Sequence, residues 1–244
     1  MRLTRCPVEL PLQVGQTFPL PEEAANHLVR VMRLQEGDDC VLFNGDGHDY
    51  AATLVAAGKR GAQVRIDNAQ MLGNESPLRI TLLQGIARGE KMDLILQKAT
   101  ELGVAAIVPV NAERTEVKLD AARAEKRIAH WRSVVGSACG QSGRARIPAI
   151  TAPQNLAAAA ATLSEQTLRL TLDPQGEHRL STLAEAPANG VVIAIGPEGG
   201  WSPRDRQQLA DAGFQGLQLG PRILRTETAG LAAIAALQAR LGDL

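Results

Sequence analysis

The stretch 191–233, VVIAIGPEGGWSPRDRQQLADAGFQGLQLGPRILRTETAGLAA, constrains the fold more than any other part of the chain. Val191 to Ile195 is a β-branched run of the length of a buried strand, and Gly196 to Gly200 stops it at once. Leu217 to Leu219 repeats the pattern, with Gly220-Pro221 ending it before Arg222 to Ala229 opens a polar helix start. Two glycine-bearing loops at strand ends are where an open α/β sheet binds ligands.

The upstream sequence supplies the rest of such a sheet. Leu78 to Gln84 reads as a strand, and Ile86 to Glu90 as a loop carrying Arg88. Lys91 to Leu102 places Met92, Ile95, Leu96 and Ala99 at the three-and-four spacing of a one-sided helix, closed by Gly103. Ala105 to Val110 is the next strand, and a helical crossover between strands implies parallel pairing. Leu119 to Ala138 predicts the longest helix, broken by Gly140-Gln141-Ser142-Gly143-Arg144 as either a glycine-capped end or a ligand loop. Thr167 to Leu172 predicts a third strand with a glycine-bearing turn, Asp173 to Gly176, after it.

Residues 1–73 read as a separate β-rich barrel module, with Met71 to Pro77 as linker and 74–244 as the α/β domain. Strands are expected at Gly15–Phe18, Gly37–Phe43, Asp49–Val55 and Ala62–Ile66, with Asn44-Gly45-Asp46-Gly47 as a hairpin turn. Pro21-Glu22-Glu23 opens a helix to Met32 and carries Arg30 and Arg33 three apart on one face.

Composition narrows the function. The net charge is zero, which argues against coating nucleic acid by charge alone. Residues 75–146 nevertheless hold 12 Lys/Arg against 8 Asp/Glu, while each flank holds 7 against 9. Arg123, Lys126, Arg127 and Arg132 line the wet face of a helix or a phosphate-binding face. Three Phe, two Trp and one Tyr are too few for a base-stacking platform, so RNA contact would rest on arginine, backbone amides and shape. Cys6, Cys40 and Cys139 and four dispersed histidines lack metal-site spacing, which predicts reduced structural thiols and no metal. The first dozen residues carry Pro7, Glu9 and Pro11, and no apolar run reaches membrane-spanning length, so cytoplasm is the expected location.

The segments IGPEGGWS (195–202) and LGPRILRTETA (219–229) resemble the RsmE family of the SPOUT superfamily, the 16S rRNA uridine-N3 methyltransferases. KMDLILQKATELGV (91–104), NAERTEVK (111–118) and Gln141-Ser142-Gly143-Arg144 extend the likeness over the second domain. The resemblance implies a trefoil-knotted parallel-sheet α/β domain after a PUA-like β-barrel. It also implies S-adenosylmethionine as cofactor and a homodimer acting on 16S rRNA, naked or within the assembled small subunit. A SPOUT methyltransferase for another rRNA or tRNA site, or an inactive assembly factor that binds RNA, is the alternative.

Carried over residue by residue, the cofactor would be held by Leu172, Gly196, Pro197, Glu198, Gly199, Gly200, Leu219, Gly220, Ile223, Leu224 and Thr228. Arg225, Glu227 and Glu198 would serve catalysis, and Arg5, Arg30, Arg33, Arg88, Lys91, Arg114 and Arg144 would meet RNA. An Arg225 to Glu227 ion pair shaping the loop is the competing reading of the first two. Trp201 is expected to pack the glycine loop, and Ser202-Pro203 to start a helix. Thr226 and Thr228 would cap the last helix or touch the cofactor. One departure stands out: Gly140 occupies a position where the family commonly has glutamate.

Overall fold

The computed structural model describes residues 3–58, 61–117, 121–164, 166–183 and 188–244, with the side chains of 121 and 122 left aside. Its elements, in chain order, are β1 (Arg5–Pro7), β2 (Thr17–Pro19), α1 (Glu22–Ala25), β3 (Asp39–Phe43), β4 (His48–Gly58) and β5 (Gly61–Met71). These are followed by β6 (Ile80–Gly85), α2 (Glu90–Glu101), β7 (Ala106–Asn111), α3 (Ala121–Ser142), β8 (Ala149–Ile150), β9 (Gln154–Asn155) and α4 (Leu156–Ala161). The last group is β10 (Leu168–Leu172), β11 (His178–Arg179), β12 (Val191–Ile195), α5 (Pro203–Asp211), β13 (Gln215–Gln218) and α6 (Thr226–Leu241).

Contacts divide the chain into two units, one of residues 1–75 with 135–147 and one of 76–134 with 148–244. In the first unit the described strands pair in the order β1-β3-β4-β5-β2, parallel between β1 and β3 and antiparallel elsewhere. Alternating residues of β4 and β5, among them Tyr50, Ala52, Leu54, Val64 and Ile66, turn inward onto Leu28 and Leu42. The Asn44 to Gly47 turn joins β3 to β4, with Gly45 at φ 92° and Gly47 at φ 99°. Cys6, Cys40 and Cys139 are unpaired, and burial pushes each thiol up to about 12, which leaves them inert at neutral pH.

The structure departs from the expected helix Pro21–Met32. After α1 the backbone widens into a π-helical stretch, Asn26–Val31, and Arg33 follows at φ 59°. Arg30 is exposed on the π-turn while Arg33 lies past its end in left-handed conformation, so the shared helical face predicted for them does not form.

A second departure concerns α3, which runs straight through Gly140 to Ser142 and stops at Gly143, φ 88°. Gly140 is a packing residue. A Cβ there would meet the Arg5 carbonyl oxygen at 3.1 Å, and one on Gly136 would meet Pro7 at 3.2 Å, so two glycines a helical turn apart let β1 approach the helix. A glutamate side chain has no room at Gly140 unless β1 shifts.

The second unit is built on an all-parallel sheet, β11-β13-β10-β12-β6-β7-β8, with β9 also pairing with β7. Central β12 is buried along its whole length, as its unbroken apolar run requires. Helix α2 buries Met92, Ile95, Leu96 and Ala99 and ends before Gly103, φ 85°. After β13 the chain returns from beyond β10 to the middle of the sheet, where α6 packs against α2, β6 and β12. No described helix is long and apolar enough to cross a membrane.

Candidate active site

The loops after β10, β12 and β13 meet at one end of the sheet and enclose a cleft of about 190 Å³. Leu172, Gly196, Pro197, Gly200, Leu219, Gly220, Ile223 and Leu224 line it, together with Trp201 and Thr226. Backbone and aliphatic carbon form much of the wall where the loop residues are glycines, and Asp173, Arg206 and Arg222 line it as well. Gly200 at φ 65° and Gly220 at φ 119° adopt turns that other residues enter at a cost, and a Cβ on Gly196 would sit 3.1 Å from Gly200. Trp201 is buried and its indole N–H donates to Thr171 Oγ1 at 3.1 Å, packing the loop onto β10. The Ser202 hydroxyl accepts from the Asp205 amide at 3.0 Å, and Asp205 returns the contact at 3.1 Å, a capping box with Pro203 in the first turn.

Three residues expected at the cofactor do not line this cleft. Glu198 turns instead toward α2, and Gly199 is exposed with its carbonyl held by Arg114 Nη1 at 3.0 Å. Thr228 is exposed on α6, two residues too late to face the loop. Thr226 takes the inward position, since helical spacing turns neighbouring residues about 100° apart. Arg225, not a threonine, is the N-cap of α6.

Beside the cleft lies an ionic group. Lys91 Nζ stands 3.5 Å from Glu198 Oε1 and 4.0 Å from Glu227 Oε2, linking the first turn of α2 to the glycine loop and to α6. Glu198 Oε1 also accepts from the Arg88 amide at 3.0 Å. Burial pushes its carboxyl pKa up, but the amides of Arg88 and of Glu198 itself, with Lys91, prevail and hold it below the ordinary value. Glu227 Oε2 is shut from solvent and accepts no hydrogen bond among the described residues. Arg225 is exposed and pairs with none of them, so the alternative Arg225 to Glu227 ion pair does not form.

The basic residues separate into two kinds. Arg88 and Arg114 are exposed at the site, the former 2.7 Å from Glu116. Arg5 and Arg144 are buried and committed to the first unit, which corrects their expected place at RNA. Arg5 pairs with Asp49, donates to the Cys139 carbonyl at 3.0 Å and lies 4.8 Å over the Phe43 ring. Arg144 grips Glu75 at 2.6 and 3.1 Å. An arginine in the sequence signals such anchoring no differently from RNA contact, so sequence could not tell the two apart.

Residues 74–238 match the RNA methyltransferase domain family and residues 20–67 the RNA methyltransferase PUA domain family. Ribosomal RNA small subunit methyltransferase E of Buchnera aphidicola is 32% identical over 243 residues, covering 100% of this chain and 98% of the relative. The chain belongs to this family. A solved methyltransferase E from Neisseria gonorrhoeae, bound to S-adenosyl methionine, is 40% identical with a TM-score of 0.91 over 100% of both chains. A Legionella pneumophila methyltransferase in complex with its cofactor SAM is 37% identical with a TM-score of 0.95, again over 100% of both. Membership makes this chain an RNA methyltransferase of SPOUT-type architecture with a PUA-like first unit. Of the two threonines the sequence left open, the fold brings Thr226 to the cleft, with Gln84 behind it, and leaves Thr228 outside.

Proposed function

We propose that the protein methylates N3 of a uridine in 16S rRNA of the small ribosomal subunit, with S-adenosylmethionine as donor. The observation that carries this reading is the glycine-walled cleft next to the Lys91, Glu198 and Glu227 group. A slot walled largely by backbone and aliphatic side chains, with Asp173, Arg206 and Arg222 among its lining, suits an adenosine moiety, and its glycines leave space that a Cβ would take. When bound, the cofactor supplies an activated methyl on a sulfonium. Residues 1–73 serve as the RNA-binding module and 74–244 as the methyltransferase, in a cytoplasmic, metal-free homodimer.

Uracil N3 lies on the Watson–Crick edge, so the base must be unpaired or flipped to react. It must also lose a proton. Glu227, with one oxygen free of hydrogen bonds, is the better proton acceptor, while Glu198 is tied up by the Arg88 amide and Lys91. Arg225, exposed and unpaired among the described residues, steadies charge on the uracil carbonyl oxygens. Arg30 and Arg33 in the first unit, and Arg88, Lys91 and Arg114 in the second, meet RNA phosphates. Their small number fits shape-reading of a folded ribosomal surface better than tight binding to free RNA.

Mass mapping of 16S rRNA from a strain lacking the gene tests the reading. N3-methyluridine should be absent, return with the wild-type gene, and stay about a hundredfold lower with Arg225→Ala. Unchanged 16S modification in the deletion strain would overturn it.

A further inference from the structure

The last two residues of β6, Gln84 and Gly85, belong to none of the family's motifs described above, yet they grip the glycine loop from behind. Gln84 is fully buried. Its amide nitrogen donates to the Gly85 carbonyl at 2.8 Å and to Thr226 Oγ1 at 3.0 Å. Thr226 in turn donates its one hydroxyl proton to the Gly196 carbonyl at 2.6 Å. The direction of this relay is forced. Both Gln84 N–H groups point at oxygen acceptors, and a turned amide would set its own oxygen against the Gly85 carbonyl. The cost is visible at the other end, where Gln84 Oε1 is buried and accepts no hydrogen bond among the described residues.

The target of the relay has only one polar handle. Between Gly196 and Pro197 the peptide has a carbonyl but no N–H, so whatever holds that carbonyl sets the orientation of the peptide. Gly85 completes the grip. A Cβ on Gly85 would lie 2.5 Å from Pro197 N and 2.6 Å from its Cδ, so only glycine lets the turn rest against the strand end. Gly196 and Pro197 line the cleft, Glu198 follows them, and Glu227 follows Thr226. One hydroxyl therefore pins the two loops together one residue away from one acid and two from the other.

We propose that Gln84 and Thr226 are positioning residues that set the Gly196–Pro197 peptide for cofactor binding and hold the Glu198 and Glu227 loops in register. This rests on the cofactor reading above. Thr226→Val keeps the shape and removes the hydroxyl; Thr226→Ser keeps the hydroxyl. By calorimetry, Thr226→Val should bind S-adenosylmethionine about tenfold more weakly, since losing the hydroxyl breaks both of its hydrogen bonds and leaves the Gly196 carbonyl without its donor. Gln84→Leu should weaken binding in the same direction, and Thr226→Ser should restore it. Thermal unfolding with and without S-adenosylmethionine separates positioning from general stability: the ligand-induced shift should shrink in Thr226→Val and Gln84→Leu. Wild-type affinity and an undiminished shift in Thr226→Val would overturn the proposal, as would a serine variant as weak as valine. If the wild-type protein itself bound no S-adenosylmethionine, the cofactor reading would fall instead.

Discussion

At the scale of single residues, the two glutamates show how environment divides chemically equal groups. In the sequence Glu198 stands between Pro197 and Gly199 and Glu227 between Thr226 and Thr228, and nothing in their spacing ranks them. In the fold Glu198 receives an amide hydrogen bond and a lysine, whereas Glu227 keeps an oxygen without a donor. The pKa of Glu198 in the folded protein lies below the 4.5 of a free carboxyl. Its contribution to stability is therefore present in full above that value and lost as pH falls through the lower, folded value. Unfolding temperatures of wild type and Glu198→Gln should differ most near neutral pH and converge on acidification below 4.5. A difference that stays constant with pH would refute the assignment. The sequence made the residue types of the site legible, along with eight of the cleft residues. Gln84 escaped, and Thr226 could not be ranked above Thr228, because their roles depend on contacts across 142 positions of chain.

Individual elements were legible where local periodicity and tertiary packing agree. Helix α2 and strand β12 formed as predicted because one presents a single apolar face and the other is apolar throughout. Helix α3 ran past its predicted end because Gly140, a breaker by propensity, is there to let β1 come close. Gly190, just before β12, carries the opposite lesson. At φ 82° its missing Cβ would overlap the Arg79 carbonyl oxygen at 2.1 Å, and its neighbour Val191 opens the pairing with β6. Gly190→Ala should therefore destabilise the second unit by about 2 kcal/mol or more, read as a lower denaturation midpoint with unchanged m. Full wild-type stability would mean that this entry to the central strand yields easily.

For the whole molecule, the chain passes between the two units at 75/76, 134/135 and 147/148, where the sequence predicts a single passage at 73/74. The end of α3 and the turn after it, residues 135–147, belong with the first unit, secured by Arg5 on the Cys139 and Arg144 carbonyls and by Arg144 on Glu75. Linear order conceals such a return. The proposed homodimer belongs to this scale as well. Helix α6 buries Ala233, Ile234 and Leu237 within its own unit, yet Ala232, Ala235 and Ala236 remain half-exposed, small enough for a second helix to approach closely. Light scattering at micromolar concentration should return twice the mass of the chain, and a monomer would end that part of the proposal. By itself the sequence determined the alternation of strands and helices, the glycine turns and the family, because these follow from local periodicity and from short contiguous motifs. Which arginines are anchors, which glutamate keeps a free oxygen and which threonine holds the loop were decided only by tertiary structure. Burial and hydrogen-bond partnership are properties of neighbours in space, and those neighbours lie far apart along the chain.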